Sequence, residues 1–247
     1  YNRNEVFANI GFNTFTSIEY MKNVAKTPKN WAKDKVLIEC IEDALDSTPG
    51  RDMIYTISVQ GHGKYPSEQV ITNPKIKVLS APTEELKWKY EYYVNQIYEM
   101  DQFIGELVDK LSKRDEPIML AMYGDHIPAI DITEDDLESG NLYATQYLIW
   151  NNIGIKKDDE NLHTYQLAAY MTDMVDLQVG TIFTYQQNHK NSETYLEDLK
   201  ALGYDMLYGK SLSLGESGGY TSPDMRMGIY DITIDGINVI GDDVYVI

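Results

Sequence analysis

The chain has 247 residues, 43% of them hydrophobic and 11% aromatic, and no low-complexity tract, which excludes an intrinsically disordered segment and sets it among ordinary globular proteins. Its 39 acidic and 21 basic residues give a formal charge of −18, which repels nucleic acid and anionic lipid over any extended face, so no nucleic-acid partner is expected. A small phosphate ligand stays compatible with that charge, because one metal ion and one arginine reverse the field locally.

The single cysteine, Cys40, permits no intramolecular disulfide. No apolar run approaches the roughly 20 residues needed to cross a bilayer, and no signal peptide opens the sequence. The opening Tyr1-Asn2-Arg3-Asn4 has neither an initiator methionine nor the look of a tag, so the chain is expected to be a piece of a longer one.

In chain order, apolar residues at Val36, Leu37, Cys40, Ile41, Ala44 and Leu45 face Glu39, Glu42 and Asp43, which predicts a helix over 34–46 with Cys40 as a small core hydrophobe. Residues 53–59 are β-branched and apolar and stop at Gln60-Gly61-His62-Gly63, which predicts a buried strand running into a tight turn. After Pro82, the stripe Leu86, Tyr90, Tyr93, Ile97, Met100, Ile104, Leu107 and Leu111 keeps spacings of three and four, the pattern of a long helix with this face in the core.

A second apolar run at 118–123 enters Gly124-Asp125-His126-Ile127-Pro128, and a third at 146–150 ends at Asn151-Asn152. Strand, helix, strand predicts an α/β fold with a largely parallel sheet flanked by helices, its ligand crevice at the C-terminal strand ends. Both histidine turns lie at such ends. Residues 163–177 and 192–202 read as further helices. Past the turn-rich stretch 215–223 the period shortens: Asp235-Gly236 and Gly241-Asp242-Asp243 punctuate short apolar runs, which predicts a C-terminal antiparallel β unit. The expected division is a partial catalytic domain over 1–214 and a β-hairpin appendage over 215–247.

Asp125-His126 is the sharpest chemical feature. A carboxylate oxygen and a neutral imidazole nitrogen on adjacent residues suit a divalent cation, and Gly124 frees the backbone to turn before them. Two ligands do not complete a site, and the bland reading is a histidine held by its neighbours. His62, between Gly61 and Gly63, can donate to a phosphate oxygen or protonate a leaving group, or simply cap a strand end. The acidic run Asp131 to Glu138 lacks the glycine and glutamate that a calcium loop needs, and it reads as a solvated loop. His163 and His189 have no partners at metal spacing.

Tyr1-Asn2-Arg3, Ser58-Val59-Gln60-Gly61-His62-Gly63 and Tyr123-Gly124-Asp125-His126-Ile127-Pro128, in this order, resemble the lipoteichoic acid synthase family, phosphoglycerol transferases of the alkaline phosphatase and sulfatase superfamily. The likeness extends over 9–21, the strand to Trp150, 204–209 and 224–228, nearly the whole chain. It implies an alkaline phosphatase/sulfatase-like fold and a threonine nucleophile that attacks the phosphorus of a phosphatidylglycerol headgroup. It also implies one divalent cation, manganese first, with magnesium, zinc or calcium as alternatives.

Asp125 and His126 match the family's metal-binding pair, Arg3 an arginine that grips glycerol phosphate, and His62 a histidine facing the same group. Tyr1 stands at a substrate-facing position where the family has tryptophan, and Lys64 stands where proline is usual. The nucleophile, an acidic ligand and the membrane helices are expected upstream of Tyr1, so no nucleophile is assigned within the chain. The resemblance implies the outer face of a bacterial membrane, with contact to the bilayer only through those helices. The alternatives are a sulfatase or phosphodiesterase on the same scaffold, and a degenerate binding module.

Overall fold

The computed structural model describes residues 2–177, 180–217, 221–230, 236–241 and 243–246, with 216–217 and 243–246 described by backbone only. Among them are helices α1 (Arg3–Asn9), α2 (Val36–Asp46), α3 (Glu84–Leu111), α4 (Leu167–Met174), α5 (Gly180–His189) and α6 (Tyr195–Tyr208). The strands are β1 (Thr14–Phe15), β2 (Met119–Tyr123), β3 (Tyr147–Asn151), β4 (Arg226–Met227), β5 (Ile237–Ile240) and β6 (Asp243–Val246). The chain is α/β. No helix among the described residues is long and apolar enough to cross a membrane.

The chain divides into two compact units, one of residues 1–152 with 222–247 and one of 153–221. The core of the first unit is Ile38 on α2 against Leu107 and Leu111 on α3, with Ile41, Leu45, Phe103, Ile118, Leu120 and Trp150 packed around them. Ion pairs Glu42–Lys110 (2.6 Å) and Asp46–Arg114 (2.6 Å) lie along the same helix pair. Cys40 is half-buried on α2, and its thiol is pushed up by burial and by the neighbouring Asp43 and Glu39.

α3 begins where Thr83 accepts a hydrogen bond from the Leu86 N–H at 3.1 Å, an N-cap that satisfies one orphan donor of the first turn. Of its expected apolar stripe, Leu107 and Leu111 are buried, but toward the N-terminal end the buried residues are Glu91, Tyr92, Asn95 and Gln96. The reason is a polar docking surface. Asn95 Oδ1 accepts from the N–H groups of Lys75 and Ile76, its Nδ2 donates to the Ile76 carbonyl, and Glu91 accepts from the Val78 N–H. Helix side chains thus satisfy the backbone of a loop that has no ladder of its own.

Strand direction differs from the βαβ expectation. β2 and β3 pair antiparallel, Met119 opposite Asn151 and Tyr123 opposite Tyr147. The parallel pair is β1 with β4, joining residues far apart in the chain. Residues 53–59, expected as a buried strand, join no ladder and are largely exposed. Their composition favours a strand, but a strand needs a neighbour, and the described residues supply none.

The C-terminal antiparallel unit is β5 with β6, Ile240 opposite Asp243, with Gly241 at φ 65° in the connection. The turn expected at Asp235-Gly236 lies partly outside the described residues. In the second unit, α5 arises from a polar sequence without an apolar stripe. It is held by Gln187 donating to Thr172 Oγ1 (2.9 Å) on α4 and by Tyr195 on α6 donating to Gln186 Oε1 (3.0 Å).

Candidate active site

The turn after residue 59 is closed by the His62 N–H donating to the Val59 carbonyl at 3.0 Å. A Cβ on Gly61 would stand 3.2 Å from Met100 Sδ, so only glycine fits between turn and α3 without a shift. The Tyr65 hydroxyl donates to the Gly61 carbonyl at 3.0 Å and fixes the other side of the turn. His62 Nδ1 lies 2.7 Å from the Gly63 carbonyl. A carbonyl only accepts, so Nδ1 carries the hydrogen in the neutral ring and Nε2 keeps its lone pair.

The second turn extends the β2–β3 ladder by one rung, the Gly124 N–H donating to the Gln146 carbonyl at 3.2 Å, and the Thr145 hydroxyl binds the Gly124 carbonyl at 2.6 Å. Gly124 does not have positive φ, and an added Cβ would meet Thr145 at an ordinary 3.5 Å. The backbone freedom expected of this glycine is therefore not what shapes the turn. His126 repeats the arrangement of His62: Nδ1 lies 2.8 Å from the Ile127 carbonyl, which leaves the lone pair of the neutral ring on Nε2. His126 Nε2 is 3.7 Å from Asp125 Oδ1, and both side chains are exposed, at 60% and 83%.

The two turns converge. The imidazoles of His62 and His126 lie 6.2 Å apart, centroid to centroid, and Trp31 packs edge-on against His62 at 4.8 Å. Trp31 and Arg3 both line a cleft of about 560 Å³ that runs past α1 and α2. The Arg3 guanidinium, on the first residue of α1, makes no ion pair among the described residues. Tyr1 lies outside the described residues.

A buried polar network sits behind the His62 turn. Asp34, 2% exposed, accepts from the N–H groups of Val59 and Gln60 at 3.3 Å each, and its own N–H donates to Gln60 Oε1 at 2.8 Å. The Gln60 amide donates onward to Gln96 Oε1 (3.1 Å) and to Glu99, which pairs with Lys33 at 2.7 Å. This clasp ties the segment bearing Trp31 to the turn bearing His62. Burial holds the Asp34 carboxyl above the usual aspartate range, against the lowering effect of the Val59 and Gln60 donors. Its Oδ2 has no partner among the described residues. Sequence reasoning gave no role to Trp31 or Asp34 and named Gln60 only as part of its turn motif, because isolated loop residues carry no spacing signal.

No cluster of three or more His, Cys, Asp or Glu side chains placed to hold a metal occurs among the described residues. The pair that is present fits a divalent cation. Two donors about 2.1 Å from one ion lie roughly 3–4 Å apart, and the Asp125–His126 separation of 3.7 Å falls in that interval. Both side chains are open to solvent, and the imidazole is in the ligating tautomer.

Comparison with known proteins bears on this arrangement. A curated relative from Rhizobium meliloti (strain 1021), described as a putative cyclic beta-1,2-glucan modification protein, is 28% identical over 131 residues, 53% of this chain but 20% of that protein. The structure of Streptococcus pyogenes phosphoglycerol transferase GacH in complex with sn-glycerol-1-phosphate matches with a TM-score of 0.72 at 23% identity, covering 87% of this chain and 60% of that one. The chain thus spans a fifth of the curated relative and three fifths of the solved structure, and at this identity the structural likeness speaks to the fold. The Sulfatase family model matches residues 1–177, and the chain belongs to that family, within the alkaline phosphatase and sulfatase superfamily.

Proposed function

We propose that the complete protein is a metal-dependent phosphoglycerol transferase acting on a phosphatidylglycerol-type lipid headgroup in cell-envelope polymer synthesis, at the outer face of a bacterial membrane. Residues 1–214 are the part of its catalytic domain that holds the cation and the substrate phosphate, and residues 215–247 are a C-terminal appendage. The nucleophile, a threonine, comes from a segment outside these 247 residues.

The observation that carries this reading is the convergence of His62 with Asp125 and His126, each imidazole presenting Nε2. The glycerol phosphate named with the GacH structure supports the ligand class. Asp125 and His126 would hold the cation, manganese first among the candidates. When bound, such an ion polarises a phosphoryl oxygen and eases ionisation of a nucleophilic hydroxyl.

The chain's own residues do the remaining work. His62, with Nδ1–H committed to Gly63, presents Nε2 as the nitrogen that would take up a proton and deliver it to the departing diacylglycerol oxygen. Trp31 restricts the ring's rotation. The Arg3 guanidinium pairs with two phosphate oxygens, each charge-assisted bond contributing roughly 1.5–3 kcal/mol. Tyr1 adds contact to the glycerol. The name of the Rhizobium meliloti relative supports a glycan as acceptor.

A sulfatase reading is less well supported. Its nucleophile derives from a cysteine or serine in an open site, whereas Cys40 is half-buried with its thiol pushed up. The test is Asp125→Ala in the complete protein: transfer of glycerol phosphate from a labelled lipid is expected to be lost, and transfer at the unaltered rate would sink the assignment.

A further inference from the structure

We infer that the second unit, residues 153–221, carries a binding site for one neutral sugar ring, built from the segment before α4, from α4 and α5, and from the first residue of α6. This site goes beyond the transferase reading and stands without it.

A cavity of about 220 Å³, room for about seven waters, opens among these elements. Among its lining residues, Gln186 is 5% exposed and Tyr195 8%. A hydrogen-bond relay of fixed direction runs through them. The His163 N–H donates to Gln166 Oε1 at 2.8 Å, which leaves Gln166 Nε2 as the donor to the Tyr195 hydroxyl at 3.4 Å. Having accepted there, the Tyr195 hydroxyl donates to Gln186 Oε1 at 3.0 Å. The Gln186 amide is thereby oriented with both Nε2 hydrogens left over, and no described residue accepts them. The open space that Gln186 lines is this cavity. A buried amide without an acceptor is costly, so the cavity calls for a ligand oxygen at that point.

The rest of the lining selects the ligand. Two carboxylates, Glu160 and Asp173, stand against one ammonium, Lys190, whose Nζ lies 3.7 Å from Glu160. That balance disfavours a phosphate or carboxylate ligand, and the Gln186 hydrogens disfavour a bare cation. Donors and acceptors interleaved in one small cavity match a ring of hydroxyls, each of which both donates and accepts. One hydroxyl oxygen takes a Gln186 hydrogen, others donate to the carboxylates, and the amides of Asn161 and Asn191 serve either way. Tyr170, Leu162 and Ala169 supply the apolar surface that the C–H face of a pyranose covers.

Ligand-observed NMR titration of the complete protein with the methyl glycosides of glucose, galactose, mannose and N-acetylglucosamine tests the proposal. At least one is expected to bind with Kd below about 10 mM. Binding by none of them overturns it, and so does tighter binding of glucose 6-phosphate than of methyl glucoside. Gln186→Glu keeps the oxygen that accepts from Tyr195 and replaces both hydrogens by a second acceptor, and it is expected to weaken the sugar about 10-fold. Unaltered affinity in that variant overturns the assignment. Should Gln186→Glu not fold, Asn191→Ala at an exposed position decides in the same way, with a loss of about 3-fold expected and unaltered affinity overturning the site. None of these readouts needs turnover, so the sugar site and the transferase reading fail separately.

Discussion

The rings of His62 and His126 meet edge-on, 6.2 Å apart and 82° between planes, and each binds the carbonyl of its own next residue through Nδ1. Two turns remote in sequence therefore bring their imidazoles together, each with Nδ1 committed to a carbonyl and Nε2 left with the lone pair.

The functional consequence is separable by mutation in the complete protein. His62→Ala is expected to lower the transfer rate about 10²- to 10⁴-fold, the range of a lost general acid, while leaving cation affinity near its original value. His126→Ala is expected to weaken the cation itself. Initial rates against manganese concentration separate the two, and the same cation midpoint in both variants would argue that the histidines do not divide the work.

On the proposed reading, Asp125 and His126 would supply two of about four ligands in the 247-residue chain. Manganese is expected to bind more weakly than about 1 µM, with no turnover of phosphatidylglycerol. Isothermal titration checks this, and submicromolar affinity in the isolated chain would count against it.

Gln60 is 1% exposed and serves Asp34, Gln96 and Glu99 at once. Gln60→Ala strands the Asp34 N–H and leaves Glu99 and Gln96 without their shared donor. A loss of roughly 2–3 kcal/mol in unfolding free energy is expected, read from urea denaturation. A change within experimental error would mean that the clasp between the two segments contributes nothing to stability.

Asp34 makes stability depend on pH. Its folded-state pKa is raised, chiefly by burial, so the folded protein binds this proton more tightly than the unfolded chain, whose ordinary value is 3.8. The contribution is fully present below that unfolded value and is lost as pH rises through the raised folded value. Asp34→Asn cannot titrate. Wild type is therefore expected to gain on the variant as pH falls from 7 toward 4, measured by paired urea curves, whereas a difference independent of pH would contradict the assigned environment.

Local patterns in the sequence determined much of this protein. The three-and-four spacing after Pro82 announces α3, the apolar run at 118–123 announces β2, and polar turns after apolar runs single out His62 and Asp125-His126. Such features are legible because periodicity records which face of an element is apolar, and turn residues record where it stops. Only the tertiary structure decided what pairs with what: β2 antiparallel to β3, β1 beside β4, residues 53–58 in no ladder among the described residues, and Trp31, Asp34 and Gln60 assembled behind His62. The physical reason is that a ladder or a buried hydrogen bond belongs to two segments distant in the chain. A local pattern states that a segment needs a partner, and the competition among all available partners in the folded chain chooses which one it gets.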